Sequence, residues 1–247
     1  SWIEADIVLG TSIGAINGAL YAADPSIEGI EHLEQLWRDL EFGDLFPGGL
    51  WGRARTAIRE RTYLHANDHL RSWLGEHLGH GSIEDLPTAF QCVAARIEDS
   101  SEHWFTEGAL VDALLASSAV PGLLPPVDID GMHYIDGGVV NSIPLSRALD
   151  LGAKTVFVLH VGHIDDELAV PTKPWDVGVV AFEIARRHRF ASDLAGLPDD
   201  VTVHVLPTGA AVGRYNDPAK LRYDNLDDAG RQVATSLRAA KEYLARI

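Results

Sequence analysis

Apolar positions along the chain fall into short runs and helical stripes that alternate. Ile7, Val8 and Leu9 form a compact run of strand type, Gly10-Thr11-Ser12-Ile13-Gly14 follows at once, and residues 15–23 read as a helix. Asp24-Pro25 can cap and open a second helix. Through it Ile27, Ile30, Leu33, Leu36, Trp37 and Leu40 recur at helical spacing, with a solvated charged face opposite. Residues 42–52 break the pattern with Gly43, Pro47, Gly48, Gly49 and Gly52 set among Phe42, Leu45, Phe46, Leu50 and Trp51. Such a segment either borders an apolar entrance or lipid surface, or tucks onto the core beneath it. One or two helices are expected over 56–78, around Leu64, Leu70, Trp73, Leu74 and Leu78.

Residues 88–97 and 103–106 read as strands joined by a hairpin at 98–102. Residues 108–118 read as a helix ending before Ala119-Val120-Pro121-Gly122, and residues 123–127 run extended because proline excludes helix. Residues 131–135 form a short strand that delivers Asp136-Gly137-Gly138, and Ser142-Ile143-Pro144 can start the next helix. Residues 155–161 read as the clearest buried strand. Residues 175–194 read as a helix, 201–206 as a strand and 226–247 as a final amphipathic helix. Strands alternating with helices imply an α/β fold with a mainly parallel sheet covered on both faces. No repeat, low-complexity tract or linker divides the pattern, so residues 1–247 are expected to form one domain.

Composition narrows the classes. The 247 residues suffice for a full core, and 46% of them are hydrophobic. The 36 acidic against 20 basic residues give a net charge of −16, which argues against nucleic acid and against electrostatic docking on anionic lipid. The single cysteine, Cys92, precludes an internal disulfide or a cysteine metal cluster, and its apolar run marks it as a buried thiol. His65 and His69 stand at i, i+4, a spacing that can hold a metal, but no third ligand is in register, so they read as surface histidines. No cofactor is expected, and no apolar run approaches the roughly 20 residues that span a bilayer.

Gly10-x-Ser12-x-Gly14 lies between a strand and a helix, the context in which such a turn exposes a serine hydroxyl. The flanking glycines are expected to remove Cβ atoms that would collide with the neighbouring strand and helix. The start of the helix aims amide groups at the serine. A nucleophilic serine needs a base within hydrogen-bond reach. A candidate is Asp136, where Gly137 and Gly138 permit a tight turn and close backbone approach, as they would in an ordinary Asp-Gly turn.

Three blocks carry a family resemblance. Gly10-Thr11-Ser12-Ile13-Gly14-Ala15-Ile16-Asn17 resembles the nucleophile elbow of patatin-like phospholipases. Ala116-Ser117-Ser118-Ala119-Val120-Pro121-Gly122-Leu123-Leu124-Pro125-Pro126-Val127 is similar to their serine- and proline-containing block. Tyr134-Ile135-Asp136-Gly137-Gly138-Val139-Val140-Asn141-Ser142-Ile143-Pro144 is similar to their Asp-Gly-Gly/Ala block. The order is the family's order, and the resemblance covers roughly residues 3–206. It implies a three-layer α/β/α sandwich and a Ser–Asp dyad without histidine. Ser12 would be the nucleophile, Asp136 the general base, and Gly10, Gly14, Gly137 and Gly138 the supports of the two motifs. It also implies acyl-lipid or ester substrates, which the net charge of −16 allows if contact with a lipid interface is hydrophobic and not electrostatic; a cytoplasmic or membrane-peripheral setting is expected. The family's glycine-rich oxyanion loop precedes the elbow strand. The nine residues before Gly10 do not make it, so either the first strand and its loop are expected upstream of this stretch, or the stretch lacks an oxyanion hole.

Two other readings compete. A Ser–His–Asp hydrolase would take its base from His160 or His163, at the end of the strand expected over 155–161. A lipid-binding or scaffolding domain with an impaired site would account for the missing loop.

Overall fold

The computed structural model of the chain describes residues 3–39, 66–160, 167–209 and 226–247. The glycine-broken segment 42–52, His65 and His163 lie outside the described residues. By its contacts the chain divides into two compact units, Ser1–Pro144 and Leu145–Ile247.

The first unit opens with β1 (Ile7–Thr11) and α1 (Ile13–Ala23), with Ser12 alone between them. Then come α2 (Ile27–Asp39), α3 (Asp68–Leu78), β2 (Ala89–Arg96), β3 (Glu102–Phe105), α4 (Leu110–Ser117), β4 (Val127–Ile129) and β5 (Met132–Asp136). The sheet is mixed. β1 runs parallel to β2, whereas β3 and β5 pair with β2 antiparallel and β4 pairs with β5 antiparallel. The parallel pair β1–β2 is joined through helices, the antiparallel pairs β2–β3 and β4–β5 through short turns, and β2 reaches β5 only by way of β3, α4 and β4. The α/β class expected from the sequence is the observed one.

β2 is the ruler of this unit. Its Ala89–Val93 stretch takes β1 and its Ala94–Arg96 stretch takes β5. β3 spans residues 92–95 and so overlaps both. A strand has two edges, so β1 and β5 must share the edge that β3 leaves free. They meet there end to end: Thr11 pairs with Val93 and Asp136 with Ala94. Two residues 125 positions apart in sequence are thereby set beside consecutive residues of one strand.

The most buried strand is β2, not the residues 155–161 singled out by their apolar run. Phe90 and Cys92 to Ala95 are all buried, and Cys92 to Ala95 have strands paired along both edges. Phe90, Cys92 and Ala94 alternate onto the face covered by helices, joining Ala15, Ile16 and Ala19 of α1, Leu70 and Leu74 of α3, and Leu114 and Leu115 of α4 in one core. Burial pushes the Cys92 thiol up and keeps it protonated, in keeping with a structural role. Gly18 lets α1 lie close on the sheet, since a Cβ there would come within 2.9 Å of Val8 Cγ1 and 3.2 Å of Phe90. Trp37 Nε1 of α2 donates to Asn17 Oδ1 at 2.7 Å, tying the second helix to the elbow helix.

The second unit contains α5 (Leu145–Asp150), β6 (Thr155–Val158), α6 (Pro174–Ala195), β7 (Thr202–Val205) and α7 (Leu226–Leu244). β6 and β7 pair in parallel. Buried Glu183 on α6 is held ionised by Arg186 and Arg187, each within 3.0 Å of its carboxylate. Among the described residues no helix is long and apolar enough to cross a membrane.

Candidate active site

Ser12 occupies the single residue between β1 and α1, at φ 56° and ψ −127°. This is a conformation that L-residues with a Cβ adopt only when the surroundings impose it, at a cost of about 1–3 kcal/mol. Four contacts impose it here. β1 is fixed to β2 up to Thr11. The Thr11 hydroxyl donates to the Asn141 carbonyl at 2.9 Å. The Ser12 amide donates to Ser117 Oγ at 3.0 Å. The Ser12 carbonyl accepts from the Ala15 and Ile16 amides at 2.8 and 3.3 Å, closing the first turn of α1.

The two elbow glycines are not equivalent. A Cβ on Gly10 would stand 2.4 Å from Ala15 Cα and 2.8 Å from the Gly14 carbonyl, so only glycine lets the strand pass beneath the helix start. A Cβ on Gly14 meets nothing within 4 Å. The collision expected from the motif therefore exists on the strand side alone, because Gly14 sits on the exposed side of the first helical turn.

Asp136 ends β5 and is 4% exposed. Its Oδ2 accepts the Ser12 hydroxyl at 2.5 Å. Its Oδ1 accepts the Gly138 amide at 2.7 Å, the side chain capping the short turn Gly137–Val139. Desolvation dominates and raises the carboxyl above its ordinary value of 3.8, opposed by the hydrogen bonds from Ser12 and Gly138. Gly137 is obligatory: a Cβ there would lie 2.1 Å from the Val93 carbonyl oxygen, so the turn lies flat against β2. The Asp136 amide donates to the Ala119 carbonyl at 3.0 Å.

The arrangement joins a half-buried serine directly to a buried carboxylate, with no imidazole between the two groups. His160 belongs to the second unit, beyond β6. His69 is exposed on α3, and among the described residues no three His, Cys, Asp or Glu side chains form a group that could hold a metal. Sequence reasoning named Ser12, Asp136 and the glycines but assigned nothing to Thr11, Ser117, Ala119 or Asn141. The only signal for Ser117 was its place in the serine-containing block. The roles of the other three depend on the register of β2.

Lysophospholipase nte1 of Aspergillus terreus is 30% identical over 164 residues, 66% of this chain and 10% of the relative. Lysophospholipase NTE1 of Pyricularia oryzae is 31% identical over 172 residues, 68% of this chain and 11% of the relative. That of Phaeosphaeria nodorum is 29% identical over 165 residues. The chain thus spans about a tenth of the length of the curated relatives it matches. The family description Patatin-like phospholipase matches residues 3–149, a span that holds the elbow, the serine block and the Asp-Gly-Gly turn together. On that match, over more than half its length, the chain belongs to the patatin-like phospholipase family.

Proposed function

We propose that the chain is a serine-dependent acyl hydrolase that cleaves carboxylic esters of lipids through a Ser12–Asp136 dyad. The observation that carries the reading is the 2.5 Å hydrogen bond from Ser12 Oγ to Asp136 Oδ2. In the first half-reaction Ser12 Oγ attacks the ester carbonyl carbon while its proton passes to Asp136 Oδ2. Collapse of the tetrahedral intermediate breaks the ester C–O bond, and the leaving alkoxide takes that proton from Asp136. In the second half-reaction Asp136 removes a proton from water, hydroxide attacks the acyl-serine, and the proton returns to Ser12 as the fatty acid departs. A carboxyl whose pKa is raised by burial is a better base for both transfers than an exposed one.

Charge developing on the substrate oxygen needs donors. Among the described residues the Ile13 and Gly14 amides have no acceptor, because the helix bonds to Ser12 O begin only at Ala15. They supply donors beside the nucleophile, in addition to any loop ahead of β1. Ile13, Val120 and Val139 are each about two-fifths exposed and adjoin Ser12, Ala119 and Gly138 in sequence. Apolar side chains next to the dyad suit an acyl chain, and the relatives' name makes lysophospholipids the first substrates to test.

The test is covalent. An alkyl fluorophosphonate should label the chain at Ser12, and labelling and ester hydrolysis should both vanish in Ser12→Ala. Hydrolysis that survives Ser12→Ala would transfer the nucleophile elsewhere.

A further inference from the structure

The serine-containing block 116–127 has no part in the reaction as written, yet it touches both members of the dyad. Ser117 Oγ accepts the backbone amide of Ser12 at 3.0 Å. Two residues later the Ala119 carbonyl accepts the backbone amide of Asp136 at 3.0 Å. We propose that the turn at the end of α4 is a clamp that sets the distance between nucleophile and base, with Ser117 as its positioning residue. The inference rests on the dyad reading above and assigns a residue that this reading does not use.

Three features make the turn a fixed reference. α4 is buried along almost its whole length, from Leu110 and Val111 through Ala113 to Ser117, and Ser117 itself is 0% exposed. The helix end is closed by the Ser118 amide on the Leu114 carbonyl at 3.0 Å, and the Val120 amide returns to the Ser118 carbonyl at 2.8 Å. The bond from Ser117 goes to the amide of Ser12 and not to its hydroxyl, so it holds the strained backbone while leaving Oγ free to donate to Asp136. Without that acceptor, the residue between β1 and α1 has one fewer restraint against relaxing from φ 56°. Ser117 touches no reacting atom and acts only through Ser12. The neighbouring Ser118 hydroxyl is also buried but has no hydrogen-bond partner among the described residues, which makes it the natural control.

Misplacing a nucleophile by about an ångström can cost on the order of 100-fold. Ser117→Ala should therefore slow fluorophosphonate labelling and kcat on a short soluble ester by about 10- to 100-fold. KM and the melting temperature should stay near wild type, and amide exchange at Ser12 should quicken. Ser117→Cys, which keeps the volume but offers a weaker acceptor, should fall in the same direction, and Ser118→Ala should label at the wild-type rate. Wild-type labelling by either folded Ser117 variant overturns the clamp. If Ser117→Ala does not fold, Ser117→Cys decides by the same criterion. If wild type is neither labelled nor active, the hydrolase reading fails, and the clamp is then judged by Ser12 amide exchange alone: no acceleration on substitution overturns it.

Discussion

The two ends of the Ser12–Asp136 hydrogen bond are built in opposite ways. On the serine side the unfavourable feature is in the backbone: a non-glycine residue at φ 56°, half-buried, at the mouth of a parallel strand–helix turn. On the aspartate side the backbone is relaxed at φ −46° and ψ 128°, and the unfavourable feature is electrostatic: a carboxyl with 4% exposure, held above its ordinary pKa by desolvation. The contrast follows from the tasks proposed for the two residues. A nucleophile must project toward an incoming substrate, which a sharp turn achieves and burial would prevent. A base must hold a proton well enough to take it from an alcohol, which burial achieves and backbone geometry does not affect.

The largest effect expected from this contrast is at Asp136. Asp136→Asn removes the base and should lower kcat by about 10²–10⁴-fold, with kcat/KM in the wild type rising with pH on a limb displaced above 3.8. Its stability should move the other way. The folded carboxyl keeps its proton to higher pH than the unfolded one, so the native state binds more protons across the interval upward from 3.8. Wild-type stability then falls as pH rises through that interval, and that of Asp136→Asn does not. Melting curves at acidic and neutral pH should show Asp136→Asn gaining on wild type toward neutrality. Asp136→Asn losing ground to wild type toward neutrality would mean that hydrogen bonding, not desolvation, governs the carboxyl.

Next in size come the glycines that permit close approach. Gly137→Ala would place a methyl 2.1 Å from the Val93 carbonyl oxygen, and Gly10→Ala one 2.4 Å from Ala15 Cα. Backbone must shift in both cases, at a cost of about 3 kcal/mol. Chemical denaturation should register both, and a near-neutral result at either would mean that its strand and turn have room the structure does not contain.

How much of this was legible beforehand depended on distance along the chain. The elbow was readable because strand, serine and helix are contiguous within residues 7–23. Asp136 was readable because Asp-Gly-Gly is compact. The meeting of the two was readable only through family resemblance, since the pairing is made by β2, whose register puts Val93 opposite Thr11 and Ala94 opposite Asp136. The apolar run at 155–161 misled because runs measure composition, whereas burial is decided by what covers the faces of a strand. β2 sends Phe90, Cys92 and Ala94 into the helix-covered core, while in β6 Val158 is buried and Thr155 exposed. Ser117 escaped a role because nothing in a helix-ending serine announces an amide more than a hundred residues away.

A smaller effect isolates the backbone cost at the nucleophile. Ser12→Gly and Ser12→Ala should be equally inactive, but glycine adopts φ 56° without the Cβ penalty. Ser12→Gly should therefore be more stable than Ser12→Ala by about 1 kcal/mol, read as a higher melting temperature. If Ser12→Ala is the more stable, the turn is not strained at this residue.

The smallest effect separates the two halves of the Gly-x-Ser-x-Gly motif. Gly14 lies in the first turn of α1, at a φ that is not in the positive range, and a Cβ there meets nothing within 4 Å. Alanine costs less conformational entropy in a helix than glycine, so Gly14→Ala should stabilise the protein by about 0.5–1 kcal/mol, the opposite sign to Gly10→Ala. The new methyl would project on the exposed side of the turn that carries the Ile13 and Gly14 amides. If that side receives substrate, kcat on a short ester should hold while KM for long-chain esters rises. A fall in melting temperature would show that the second glycine is structural after all, and that the strand–helix crossing constrains both ends of the elbow.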